Sequence, residues 1–292
     1  MPAISSSAID RLTAMNRPSQ FAVMETVAGV LAASPAVTHM LVRGSFARGT
    51  SDRLSDVDLV VGITPSLFPG FVAVHDALAI ADLGAIAPGW LDRIVPRMGG
   101  LGYVHLIEHG ERLYQIDLYL APADRIANIA AFTSGSVVYS APSTGEPIPD
   151  LSANAFITGR LATTPTCEQL VIEVLVLIWM IHKRISRGQR FMAYAETHML
   201  VTAARNLIRT VLAPDRAQYG WYHLDTDIGR TPIGRWCLRE LDALVVGPPI
   251  PTMRSLARSL ERVLALAYRI APQTVEALRL SIDAYRYHLD LG

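Results

Sequence analysis

Leu41-Val42-Arg43-Gly44-Ser45-Phe46-Ala47-Arg48-Gly49-Thr50-Ser51-Asp52-Arg53-Leu54-Ser55-Asp56-Val57-Asp58-Leu59-Val60-Val61-Gly62 is the stretch around which the chain is organised. A strand-like run, Thr38 to Val42, reaches Gly44-Ser45; a polar segment follows, and Asp56 to Val61 then alternates. Residues two apart in a strand share a face. Asp56 and Asp58 therefore point one way, while Val57, Leu59 and Val61 point into a core. Two neighbouring carboxylates repel each other unless a cation lies between them. Hard oxygen ligands in this pattern suit Mg2+, which proteins hold with one or two carboxylates plus substrate phosphates. Gly44-Ser45, opening a helix, would offer backbone N–H groups and a hydroxyl to such phosphates. Taken singly, the acidic pair would pass for a solvated edge-strand face and Gly44-Ser45 for an ordinary turn.

Gly-Ser, ten residues, then Asp-x-Asp leading into an apolar strand resembles the signature of the nucleotidyltransferase superfamily related to DNA polymerase beta. Its small bacterial aminoglycoside and lincosamide adenylyltransferases are the members it resembles most. The resemblance covers roughly residues 38 to 121. It implies a third carboxylate on a later strand, and Gln115-Ile116-Asp117-Leu118-Tyr119-Leu120 supplies Asp117. Gln115, Asp117 and Tyr119 share one face of that strand. The resemblance further implies an α+β fold: an N-terminal mixed β-sheet flanked by helices, followed by a C-terminal helical bundle that helps bind an acceptor. Asp56 and Asp58, with Asp117, would hold one or two Mg2+ ions gripping ATP as donor. Asp117 is also the first candidate general base, with Glu173 the runner-up. Gly44 and Ser45 would cradle phosphates. Arg43 and Arg48 are candidate phosphate partners, or surface charges pairing Asp52.

The chain has 292 residues, enough for about two domains. Half of them are hydrophobic and the formal net charge is zero. No basic run favours long nucleic acid as partner, though tRNA remains open. Cys167 and Cys237 lack metal-type spacing and read as reduced thiols of a cytoplasmic protein. No signal-peptide pattern begins the sequence, and Leu170 to Ile181, interrupted by Glu173, is too short to span a bilayer.

The periodicity predicts helices over Ser5 to Asn16 and over Pro18 to Ala33, the second burying Phe21, Met24, Val27 and Leu31. Strands follow at Val37 to Val42 and Asp56 to Val61, then a helix over Pro65 to Ala81 and a short strand over Trp90 to Val95. Tyr103 to Ile107 and Arg112 to Leu120 make a hairpin, and Ala123 to Phe132 a helix. Ser134 to Pro149, rich in Ser, Pro and Gly, is the expected linker; the domains are taken as 1–145 and 146–292. His105-Leu106-Ile107-Glu108-His109 matches the H-x-x-E-H pattern of inverted zinc proteases. That chemistry needs a helix, and the surrounding glycines and β-type residues predict a hairpin instead.

Thr166 is the expected N-cap of a central buried helix, Cys167 to Ser186. Further helices are expected over Phe191 to Val211, Arg254 to Ile270 and Thr274 to Leu289. Trp179 and Trp236 are assigned to the core. Glu173 needs a cationic partner or a substrate group. Trp221, Tyr222, Asp225 and Asp227 would suit a polyhydroxylated or cationic acceptor, against the plainer alternative of aromatics packed on the bundle. The expected function is Mg2+-dependent transfer of AMP from ATP to a hydroxyl of a small antibiotic. The alternative acceptor is a macromolecule, as in a tRNA-modifying toxin or a protein-modifying enzyme. For the latter the one basic cluster is Lys183, Arg184, Arg187 and Arg190, which also suits a helix C-terminus. Homo-oligomerisation is left open.

Overall fold

The computed structural model describes residues 19–94, 98–142 and 151–289. The expected first helix, Ser5 to Asn16, lies outside them. Two compact units divide at Thr163/Thr164.

In the first unit, α1 (Gln20–Ala32) buries Phe21, Met24, Val27 and Leu31, the stripe expected from their helical spacing. Chain order then gives β1 (Val37–Val42), a single turn α2 (Gly44–Ala47), β2 (Val57–Ile63) and, after a 3₁₀ turn, α3 (Phe68–Asp82). β3 (Trp90–Asp92), β4 (Leu101–His109) and β5 (Arg112–Pro122) follow, then α4 (Ile126–Thr133), β6 (Ser136–Ser140) and α5 (Leu151–Ala162). The six strands form one mixed sheet in the order β3-β4-β5-β2-β1-β6, with β2 and β5 parallel and the other neighbours antiparallel. The β4–β5 turn places Gly110 (φ 55°) and Glu111 (φ 62°) in the left-handed region, as a two-residue hairpin of the native twist requires.

Val57, Leu59, Val61, Tyr103, Ile116 and Leu118 pack into the larger core with α1 and α3. Leu41, Val60, Tyr119 and Ala121 form a smaller cluster with Ile126 and Ile129 of α4. The alternation of β2 thus sorts its side chains between two faces, with Asp58 on the face of Val60. Each fully buried aliphatic contributes about 1.5–3 kcal/mol of gross burial energy.

Of the expected linker Ser134 to Pro149, residues 143–149 lie outside the described ones, and Ser136–Ser140 is an edge strand paired with β1, burying Val138 and Tyr139. A short β-branched run between serines is masked compositionally, and only pairing reveals it. Helix α5 belongs to the first unit, so the compact division falls at 163/164 rather than 145/146.

The second unit is helical: α6 (Cys167–Ser186), α7 (Arg190–Leu212), α8 (Leu224–Ile228), α9 (Pro232–Val245), α10 (Met253–Ile270), α11 (Pro272–Ala277) and α12 (Arg279–His288). Thr166 caps α6 in a reciprocal capping box with Gln169. Helix α6 is buried over most of its circumference, with α7 and α10 packed against it. The expected helix over Thr274 to Leu289 is broken at Leu278 into α11 and α12. Trp179 and Trp236 are half-buried, not core residues. Helix α9, unanticipated, begins at Pro232 with Thr231 accepting the Gly234 amide. Among the described residues, no single helix is long and apolar enough to cross a membrane.

Candidate active site

The register of the central strands places the carboxylates. In the parallel β2–β5 pair, Asp58 lies opposite Asp117, so their side chains stand on the same face. Asp56 immediately precedes β2, and by alternation shares that face. Gln115, two residues before Asp117, is buried, and its Nε2 donates to Asp117 Oδ1 (2.7 Å) and to Asp56 Oδ2 (3.4 Å). One amide group thus ties the acid ahead of β2 to the acid on β5. All three aspartates are half-buried.

The Gly44-Ser45 bend meets the same cluster. The Arg43 amide donates to the Asp58 carbonyl (3.0 Å), and the Arg43 guanidinium pairs with Asp58 Oδ1 at 3.3 Å. Gly44 has φ +68°, and a Cβ there would stand 2.0 Å from Asp58 Oδ2. The glycine is therefore demanded twice, by its backbone conformation and by the carboxylate packed against it. Ser45 Oγ is buried without a hydrogen-bond partner. Arg43 pairs with Asp58, and Arg48 is exposed.

The loop between α2 and β2 is held from below. Asp52 Oδ1 accepts from the Leu54 amide (2.9 Å) and the Ser55 hydroxyl (3.1 Å). Gln20, buried on α1, donates through Nε2 to the carbonyls of Asp52 (3.0 Å) and Ser55 (3.2 Å). Sequence reasoning missed Gln20, because no local pattern marks a glutamine that acts across 32 residues. It noted Gln115 on the Asp117 face but not as a bridge, although the i, i+2 spacing was the available signal. Tyr119, further along that face of β5, accepts the Met98 and Gly100 amides (3.0 and 2.9 Å). Burial raises its hydroxyl pKa above the ordinary value.

The remaining candidates lie in the second unit. Glu173 is half-buried on α6. Trp221 and Tyr222 are exposed, with the Arg205 guanidinium 4.8 Å from the Trp221 ring centre. Arg209 is buried; it pairs with Asp227 (3.0 Å) and donates to the carbonyls of Gly220, Arg216 and Tyr222. The hydrogen bond from Arg209 holds the Asp227 carboxyl below its usual pKa. Arg209 thus anchors the aromatic segment to α7, and Asp227 is committed to that anchor. Asp225 is exposed. Both cysteines are free thiols.

No family model matches the chain, and no curated protein matches it. Among solved structures, a nucleotidyltransferase-like protein from Exiguobacterium sibiricum aligns over 91% of this chain and 77% of that one, at 12% identity and a TM-score of 0.21. A likeness at that score carries no weight for the activity of this chain.

Proposed function

We propose that the chain is a Mg2+-dependent nucleotidyltransferase that moves AMP from ATP to a hydroxyl of a small antibiotic such as an aminoglycoside or lincosamide. The observation that carries the transferase reading is the β2–β5 register: Asp58 stands opposite Asp117, and Gln115 links Asp117 to Asp56. Three carboxylates on one face repel one another, and Arg43 offsets part of that charge at Asp58. Their oxygen donors and their number fit a hard divalent cation.

Asp56, Asp58 and Asp117 would hold one or two Mg2+ ions, which when bound neutralise charge on the triphosphate. Ser45, with its unpartnered buried hydroxyl, and the Gly44 amide would bind the β/γ-phosphates, with Arg43 and the exposed Arg48 as further cationic partners. The acceptor oxygen forms a bond to the α-phosphorus as the bond from that phosphorus to the β-bridging oxygen breaks. Pyrophosphate leaves opposite the attacking oxygen. The hydroxyl proton passes to the Asp117 carboxylate, which the Gln115 amide orients. Glu173 is the alternative base.

The antibiotic acceptor rests on the early resemblance and on the weak case for a nucleic-acid surface. Of the basic cluster, Lys183 is buried and Arg184 pairs with the buried Glu196 at 2.9 Å. Those two residues are therefore structural rather than an open phosphate-binding surface.

The test is incubation with ATP labelled on the α-phosphate, Mg2+, and a panel of aminoglycosides, lincosamides and tRNA. Label on a small antibiotic is expected, falling by about a thousandfold or more in Asp58→Ala. Label on tRNA alone would replace the acceptor assignment. Undiminished transfer by the folded Asp58→Ala variant would remove the ion assignment.

A further inference from the structure

On the face of the sheet opposite the three aspartates, His105 of β4 stands in register with Ile116, the neighbour of Asp117. It is buried, and neither ring nitrogen has a hydrogen-bond partner. An imidazole placed so forfeits its polar contacts unless something else binds it. Facing it from α3 are His75, also buried, and Asp76, whose side chain is one-third exposed. One ligand atom from each of these three residues lies within 4.8 Å of the other two.

The hydrogen bonds around the group define which atoms remain. His75 Nδ1 lies 2.7 Å from the Val72 carbonyl, which can only accept, so Nδ1 carries the proton. In the neutral ring Nε2 then bears a lone pair. That nitrogen sits 3.2 Å from Asp76 Oδ1 without the alignment of a hydrogen bond. Two electron-rich atoms facing each other at this distance call for a cation between them. Two bonds of about 2.0–2.1 Å meeting at a tetrahedral angle would separate their ligand atoms by about 3.3 Å. The histidine N–H bonded to a backbone carbonyl is also the outer-shell contact that orients metal-binding imidazoles. Asp76 Oδ1 is fixed in turn by the Gly89 amide at 2.8 Å. Gly89 leaves room beside His105, since a Cβ there would lie 2.6 Å from His105 Nε2. The opposing charge is Arg160 of α5, felt at His75.

We propose that His75, Asp76 and His105 form a binding site for a divalent ion of the zinc class, with the exposed side of Asp76 open to a solvent ligand. Two imidazoles and one carboxylate suit zinc-class ions better than Mg2+. The ion joins α3 to β4 beneath the strand that carries Asp117, and its role is structural. The site shares no residue with the three-aspartate cluster and stands whether or not the transferase reading does. His105 opens the H-x-x-E-H run, but its partners come from a helix 30 residues earlier, not from His109.

The test uses the chelator-treated full chain titrated with Zn2+ alone, and with Co2+ as a spectroscopic probe. The wild type and Asp58→Asn are expected to take up one ion with the intense visible absorption of a tetrahedral cobalt site. Zn2+ at about a hundredfold excess over its Kd should raise Tm by a few degrees. Asp76→Asn keeps an acceptor for the Gly89 amide; it and His105→Gln should bind at least about tenfold more weakly and lose the Tm response. If His105→Gln does not fold, Asp76→Asn decides alone. Wild-type affinity in folded Asp76→Asn, weak octahedral cobalt only, or uptake abolished by Asp58→Asn would each overturn the site.

Discussion

Gly44 is the residue at which sequence and site meet most tightly. Its φ of +68° disfavours any side chain, and the Asp58 carboxylate occupies the place a Cβ would take. Gly44→Ala is expected to cost about 1–3 kcal/mol in urea unfolding and to lower turnover, because Asp58 must move. Unchanged stability and turnover would show that the bend is not coupled to the acid. For Asp117→Asn, a fall in turnover of about 10² to 10⁴ with smaller loss of ATP binding is expected in steady-state kinetics and nucleotide titration. Normal turnover would remove Asp117 from the base role. Arg209 belongs to a different category. Removing it by Arg209→Leu strands three carbonyls in the second unit, and about 3 kcal/mol of destabilisation is expected by chemical denaturation. At this scale the sequence was informative wherever spacing alone sets direction, as for Asp56 and Asp58. It did not reveal the roles of Arg209 or Gln20, because most of their partners are backbone carbonyls that no side-chain pattern announces.

Elements were legible in proportion to their periodicity. Helix α1 and the β4–β5 hairpin follow from patterns of 3.6 and 2, and Thr166 at the start of α6 from capping chemistry. Strand β6 was hidden because its five residues lie in a stretch whose composition reads as linker. Its identity depends on β1 offering an edge. Helix α1 also acts as an element on the site, since Gln20 reaches the carbonyls at both ends of the turn Asp52 to Ser55. Gln20→Ala is expected to destabilise by about 1–2 kcal/mol and to raise hydrogen exchange in the segment 50–56 while β5 stays protected. Equal exchange in the two proteins would mean that the loop is held without α1.

At the scale of the molecule, the buried histidines make stability depend on pH. Burial pushes His105 down to about 4, with the His75 charge adding in the same direction, and burial also lowers His75. Both have an ordinary value near 6.5, which the unfolded chain regains. Between pH 6.5 and about 4 the unfolded state therefore binds more protons, so their contribution is complete above pH 6.5 and is lost as pH falls. Urea midpoints of the metal-free protein at pH 7, 5.5 and 4.5 should fall in that order, with a shallower fall in His105→Gln. A flat profile would contradict the burial. By itself the sequence determined that Asp56 and Asp58 share a face, that a glycine–serine bend precedes them, and that a sheet-containing half is followed by a helical half. Those facts follow from local geometry, in which neighbours two or four apart have no choice of side. Tertiary structure alone decided that Asp117 would stand opposite Asp58 and that His75 and Asp76 would meet His105. Strand register and helix docking join residues tens of positions apart, and they are set by burial summed over the whole sheet rather than by any one stretch of it.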